Sequence, residues 1–417
     1  MNTTCDITPC SSFKDITDRL PAVLQKYGSV FPPDRKARIL LKPNLNSNMS
    51  ALTGNTTDLR LLSAVIAFLK DKGYSDITIG EGTNSGFYRN RIGVIARLKV
   101  DALARYYGVQ VKDLNYAEPY DIPFDKAVTA SVARDCVDAA LFINLPKLKT
   151  HFENGMSVCL KNLMGCLVGQ ENKKKTHENL PENILRINDA VKPDLHIVDG
   201  LVSMEGLGPT RGTPVRTDVL IVGTDPYYID LVCARLAGFD YRRVRTLALA
   251  EKKGLLTEHH LAACAQLDST RYEKAFKPPK AGPLATFIHS PKRQKFFLRI
   301  RNTRFFSYLA ATHWFGHLLF KTGLRQDVFL KEEMSCSGLV LDETACDQCG
   351  VCADVCPLGR ELPRDLKKPD DRCIKCLYCY SVCPKQAVRF TGSPGFFEEQ
   401  LNQYDTLIRK LYETKNR

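Results

Sequence analysis

No stretch of this chain approaches the roughly 20 consecutive apolar residues that a membrane-spanning helix needs. The opening, MNTTCDITPCSSF, has neither a basic start nor an apolar segment behind it, so no secretory leader is read there. An unexported chain is expected in a reducing compartment, where cysteines serve metals more readily than disulfides. Two phosphate-binding signatures are also missing. Neither G-x-x-x-x-G-K-[ST] nor a G-x-G-x-x-G after a first strand occurs, so neither nucleotide hydrolysis nor a nicotinamide site is expected. Acid is in short supply: 46 Asp and Glu stand against 59 Lys and Arg, a net charge of +13. Such a balance favours anionic partners: an acidic protein, an anionic small molecule, nucleic acid or an anionic membrane surface.

What the chain does have is cysteine, sixteen in all. Eight of them form two copies of C-x2-C-x2-C-x3-C-P. The first is Cys346, Cys349, Cys352 and Cys356 before Pro357; the second is Cys373, Cys376, Cys379 and Cys383 before Pro384. This run holds [4Fe–4S] clusters in bacterial two-cluster ferredoxins, where the fourth cysteine of each copy serves the other cluster. One cluster is therefore assigned to Cys346, Cys349, Cys352 and Cys383, the other to Cys373, Cys376, Cys379 and Cys356. A pair of zinc ribbons would use two separated C-x2-C pairs and has no need of three consecutive knuckles. One-electron chemistry follows, in a cytoplasm with little oxygen. The remaining cysteines show no such run and read as small buried hydrophobes.

Ahead of the cysteines, short apolar runs alternate with helical patterns, which predicts a mostly parallel α/β sheet with its ligand sites at the carboxyl ends of strands. ARILLKPN, SDITIGEG, LFINLPK, DLHIVDG and TDVLIVGTD read as strands. Asp58, with Thr56 and Thr57, offers a cap for the helix LRLLSAVIAFLKDKG, and Pro226 to Gly238 frames another. After LFINLPK the chain reads NLPKLKTHFENGMSVCLKNLMG and then KKKTH. Lys147, Lys149, His151, Lys161 and Asn162, with Lys173 to Lys175 and His177 beyond, are expected on loops around one strand end. There they would concentrate positive potential able to hold a carboxylate or phosphate and to supply protons. A set of this kind is hard to explain by packing, because lysine is almost never buried unpaired. LVSMEGLGPTRGTP reads as a glycine-rich loop flanked by Asp199 and Glu205.

Taken in order, Lys42-Pro43-Asn44, NLPKLKTH, LKNLMG, Lys175 to His177, IVDGLVSMEGLGPTRGTP and GTDPYYIDLVCARLAG resemble domain-of-unknown-function family 362, across about half the chain. The resemblance implies functional positions at Lys42, Asn44, Lys147, Lys149, His151, Lys161, Asn162, Lys175, His177, Asp199 and Gly208. It implies no assigned reaction. A dicluster ferredoxin module is a frequent companion in that family. The stretch ENILRINDAVKP departs from the pattern by lacking a Leu-Asp pair.

The expected organisation is an α/β domain over 1–275, a basic aromatic helical segment over 276–335, a ferredoxin-like α+β module over 336–392 and a terminal helix over 393–417. Between Lys277 and Lys331 eleven basic residues face a single acid, Asp327. That segment reads either as a packed helical linker with snorkelling basic stems or as a peripheral membrane contact through 290–325. The expected function is a ferredoxin-coupled reductase, cytoplasmic or peripheral to the inner membrane face. It would take low-potential electrons from an acidic donor such as a ferredoxin or flavodoxin, pass them through two [4Fe–4S] clusters, and deliver them to an anionic small molecule. Lys149, His151, Lys161 and His177 would act in catalysis, and Lys42, Asn44, Lys147, Asn162, Lys175, Asp199 and Gly208 in binding. No flavin or other organic cofactor has a fingerprint. The alternative is an electron-transfer subunit or cofactor-maturation adaptor without its own substrate. Nucleic acid would explain the charge but not the clusters.

Overall fold

The computed structural model describes residues 3–83, 92–279, 303, 332–367 and 372–413. Most of the basic aromatic segment, including 290–325, lies outside the described residues, as does the end of the terminal helix. The strands are β1 (Cys5–Pro9), β2 (Ile39–Pro43), β3 (Ile77–Glu81), β4 (Gln110–Asp113), β5 (Pro119–Pro123), β6 (Thr129–Ala133), β7 (Leu141–Leu145), β8 (Lys147–His151), β9 (Gly155–Ser157), β10 (Leu195–Glu205), β11 (Thr213–Gly223), β12 (Ser335–Leu341) and β13 (Val388–Ser393). The main sheet runs β1-β11-β10-β7-β2-β3-β4, with β8 and β9 attached beside β10. From β10 to β4 the pairings are parallel, whereas β1–β11 and β10–β11 are antiparallel. The α/β class read from the sequence is the observed one. β5 and β6 form a separate small hairpin.

Local chemistry explains the elements that frame the site. β2 is buried along its whole length, as a central parallel strand should be, and stops after Pro43, which has no N–H to give the ladder. Asp58 caps the helix Leu59–Asp71 by accepting from the Arg60 N–H. The same carboxylate takes the Arg60 guanidinium in two further bonds, Nε at 3.0 Å and Nη2 at 2.8 Å, with both side chains buried. Asp225 caps Pro226–Leu236 through the N–H groups of Tyr227 and Tyr228. It also pairs with His260 at 2.9 Å, so His260, isolated by sequence spacing, is joined to that helix start.

Two sequence expectations are corrected here. KLKTH is a strand of its own rather than a loop: Lys147 and Lys149 pair with Asp199 and Met204 of β10, and Lys149 to His151 pair with β9. LVSME is likewise strand, because β10 runs through a register shift near Gly200 to Glu205 and turns back into β11. The glycine loop is therefore only 206–212.

One apolar core crosses the junction between the α/β domain and the ferredoxin-like module. Leu41, Leu59, Leu62 and Ile66 share it with Val351, Leu377, Tyr378 and Val382, and with Tyr404, Ile408 and Tyr412 of the helix Phe397–Glu413. That helix touches each part by a polar bond as well. Gln400 accepts from Ser50 N–H, Tyr404 donates to the Gly212 carbonyl, and Arg409 donates to the Cys383 carbonyl. The module itself is bracketed by the antiparallel pair β12–β13. Among the described residues no helix is long and apolar enough to cross a membrane.

Candidate functional site

The strand KLKTH explains how three cationic residues come to share one place. A strand's side chains alternate, so Lys147, Lys149 and His151 leave one face while Leu148 and Thr150 leave the other. Leu148 enters the core under the helix Pro226–Leu236. The cationic face meets the loop 44–58, which follows β2.

The cations reach different ends. Lys147 Nζ lies 2.9 Å from Asp199, with both side chains completely buried. Asp199 also accepts from the N–H groups of Asp58 and Leu201. Burial pushes the Asp199 carboxyl up, and Lys147 pulls it back. Lys42 is likewise fully buried, 2.9 Å from Glu81. Lys149 has no carboxylate partner. Its ammonium is caged by neutral oxygens: Asn44 Oδ1 and Asn46 Oδ1 at 2.8 Å and the Asn55 carbonyl at 2.6 Å. Burial, with Lys161 and Lys147 nearby, holds its pKa well below the usual lysine value. Asn162 ties the set together. It accepts from Asn44 Nδ2 at 2.8 Å and donates to Asn144 Oδ1 at 2.7 Å.

His151 Nδ1 faces the N–H groups of Glu153 and Asn154, both at 3.2 Å. Two donors aimed at Nδ1 leave the ring's own proton on Nε2. Burial, then Lys161, keeps the ring neutral, well below its ordinary pKa. His177 Nδ1 is 3.2 Å from Glu153, whose side chain is buried. Lys161 makes one weak contact, to Met164 Sδ at 3.3 Å, and burial lowers it to about 8 despite Glu153. Gly208 packs against β8, where an added Cβ would lie 2.0 Å from the Thr150 carbonyl oxygen. Lys175 is not joined to the others: its ammonium bonds the Thr129 carbonyl and Asn172.

Two participants, Glu81 and Glu153, escaped the sequence reading, and Asp58 shows there only as a helix cap. Glu81 and Asp58 are the buried counter-ions of Lys42 and Arg60, and Glu153 sits between His151, His177 and Lys161. For Glu153 a signal existed, because it follows His151 by two residues on the β8–β9 turn. Glu81 is 39 residues from Lys42, and only the parallel pairing of β2 with β3 brings them together.

The pKa of Lys161 has a consequence that can be measured. The unfolded chain keeps its proton up to about 10.5, whereas the folded site releases it near 8. Between those values the unfolded state binds more protons, so stability rises with pH there. Below 8 the buried charge is a net cost. Lys161→Met should therefore be more stable than the parent at pH 7 in denaturant titrations, and its rise between pH 8 and 10.5 should be shallower. Part of the rise will survive, since burial lowers Lys173 to about 8 as well.

The cysteine sets occupy two cavities. One is lined by Cys346, Cys349, Cys352 and Cys383, the other by Cys356, Cys373, Cys376 and Cys379. The crossed assignment, in which each fourth cysteine serves the other set, is thus the grouping that the fold produces. A sulfur from each of four cysteines around a hollow suits a cubane cluster. The second cavity adjoins the α/β domain: Tyr378, on its wall, accepts from Leu59 N–H at 3.4 Å.

Comparison with known proteins agrees with both halves. Residues 39–235 match the domain of unknown function DUF362, and residues 338–389 match a 4Fe-4S dicluster domain. A thylakoid-associated protein of Synechocystis sp. is 28% identical over 230 residues, 52% of this chain and 68% of that protein. Among solved structures, the lactate racemase apoprotein from Thermoanaerobacterium thermosaccharolyticum aligns with a TM-score of 0.34 at 12% identity, over 55% of this chain and 56% of that one.

Proposed function

We propose that this chain, a DUF362 domain joined to a 4Fe-4S dicluster domain, is an oxidoreductase that reduces a small anionic substrate with electrons from an acidic protein donor. One observation carries the reading. The loop 44–58 has Thr56 and Thr57, with Leu59 just after it, on the wall of a cavity shared with Cys376 and Tyr378, while its Asn44, Asn46 and Asn55 hold Lys149. Redox centre and basic cluster are thus separated by a single layer of chain.

Two [4Fe–4S] clusters on the crossed cysteine sets would supply one-electron transfer at low potential. The protein's own groups do the rest. Lys149 and Lys161 attract the anion, His151 offers the proton on Nε2, and His177 exchanges protons with Glu153. Lys147, with Asp199, and Lys42, with Glu81, position these groups from below, and Asn44 and Asn162 orient Lys149. Gly208 lets the 206–212 loop lie against β8. Lys175 enlarges the positive field without touching the set. Each cysteine set has two half-buried members, Cys346 and Cys349 in one and Cys373 and Cys376 in the other, so both sets lie near the surface. A net charge of +13 draws an acidic ferredoxin or flavodoxin. The natural setting is cytoplasmic.

The test uses anaerobically reconstituted protein, dithionite-reduced ferredoxin and a panel of small carboxylates and phosphate esters. Lys149→Met and His151→Asn should each lower turnover at least ~100-fold, the scale of one lost charge-stabilising group. Cluster absorption should be unchanged. Turnover unaffected by both substitutions would leave an electron-transfer subunit or maturation adaptor instead.

A further inference from the structure

The cavity between the loop 44–58 and the ferredoxin-like module has polar lining groups to which the proposed reaction gives no role. It encloses about 450 Å³, counting its open mouth, and is bounded by Ser50, Thr56, Lys99, Lys375, Cys376 and Gln400. That figure includes open solvent, and the enclosed room suits only an occupant of a few heavy atoms. Cys376 lines this cavity and the adjoining cysteine-lined one, so any occupant here is next to a cluster ligand.

The polar inventory is asymmetric. Gln400 is 1% exposed, and its Oε1 accepts from Ser50 N–H at 2.7 Å. Its Nε2 is buried and has no hydrogen-bond partner. A buried amide donor without an acceptor costs free energy unless something fills the position. Arg97 on the cavity wall is already paired with Glu333 at 2.7 Å, which leaves two lining lysines, Lys99 and Lys375. Both residues hold left-handed backbone conformations, with φ of 62° and 53°, a strain that side chains other than glycine rarely carry. Among the described residues no carboxylate lines the cavity. An unfilled donor and two lysines, of which Lys375 already gives one hydrogen bond to the Ser337 carbonyl at 3.1 Å, suit an acceptor-rich anion.

We propose that this cavity is a binding site for a small oxyanion, a carboxylate or bicarbonate, held by Gln400 Nε2, Lys99 and Lys375 beside the Cys376 cluster. It is a second site, separate from the Lys149 cluster across the loop, and it stands whether or not that cluster binds substrate. An anion bound there adds negative charge next to the cluster and so perturbs its electronic signature and lowers its reduction potential.

Full-length protein, reconstituted anaerobically and reduced, would be titrated with formate, acetate and bicarbonate while its electron paramagnetic resonance spectrum is recorded. A saturable change in one cluster's signal is expected. Gln400→Glu keeps the acceptor for Ser50 but turns the free donor into a carboxylate oxygen, and it should weaken the titration at least tenfold. Lys99→Gln should do the same, with cluster content and thermal unfolding close to those of the parent. Lys149→Met should leave the titration unchanged. Absence of any anion-dependent change would overturn the proposal, as would a change that both Gln400→Glu and Lys99→Gln leave intact. If Lys149→Met alone abolishes the effect, the anion sits at the Lys149 cluster; this inference then fails while the proposed reaction survives.

Discussion

Lys147→Met should destabilise the fold by roughly 3–5 kcal/mol, the usual cost of removing one partner from a buried ion pair. Both side chains of the Lys147–Asp199 pair are completely shielded, and the gap is 2.9 Å. Methionine fills the space of the lysine stem but leaves Asp199 without its counter-charge. Removing both charges is not a rescue. In Lys147→Met with Asp199→Leu, the N–H groups of Asp58 and Leu201 lose their acceptor, at about 1–3 kcal/mol each. The double variant should stay well below the parent in stability. Because Asp58 starts the helix that Tyr378 touches, the single variant should also release iron faster during anaerobic dialysis. A loss under about 1 kcal/mol in urea titrations would mean that Asp199 simply takes up a proton in the fold, as its raised pKa allows.

Gly165→Ala is expected to be comparably severe. A Cβ at this position would lie 1.8 Å from Glu81 Oε1 and 2.7 Å from Lys42 Nζ. Glu81 cannot swing away without giving up bonds to Lys42, Leu45 N–H and Gly82 N–H. Gly165 cannot retreat either, because its carbonyl accepts from Gly82 N–H at 2.9 Å. One methyl group must therefore break the buried Lys42–Glu81 pair or part the chain from β3. The expected loss is about 3–5 kcal/mol. Gly169→Ala is the control. Its φ is 63°, but an added Cβ meets nothing within 4 Å, so only the left-handed penalty of about 1–2 kcal/mol applies. Near-equal midpoints for the two variants would show that the Glu81 region yields easily.

Much of this molecule can be read from local sequence because its strongest signals are local. Cysteine spacing, the Asp58 cap with its helix, the buried run ending at Pro43 and the proline-led helix at Pro226 need only a few neighbouring residues. The strand KLKTH could not be read so easily. Its Lys147 and Lys149 are polar residues on a buried face, tolerated only because Asp199 and the Asn44–Asn55 loop arrive from elsewhere in the chain. The same holds for Lys42 and Glu81: pairing depends on strand order, which no local pattern encodes. β10 also outruns its sequence signal, since glycine at 200 reads as a stop and is instead a bulge within a continuing strand. The family resemblance named most of the positions that the fold brings together, Lys175 excepted. What it could not show is that Lys42 and Lys147 are paired with buried carboxylates, whereas Lys149 is held by neutral oxygens.

The terminal clasp carries an implication for biosynthesis. Phe397–Glu413 leaves the ribosome after the cysteine-rich module, and it bridges Ser50, Gly212 and Cys383. Until it emerges, the joint between the two halves lacks those bridges, so the docking of the two halves is completed only after the module's own chain has been made.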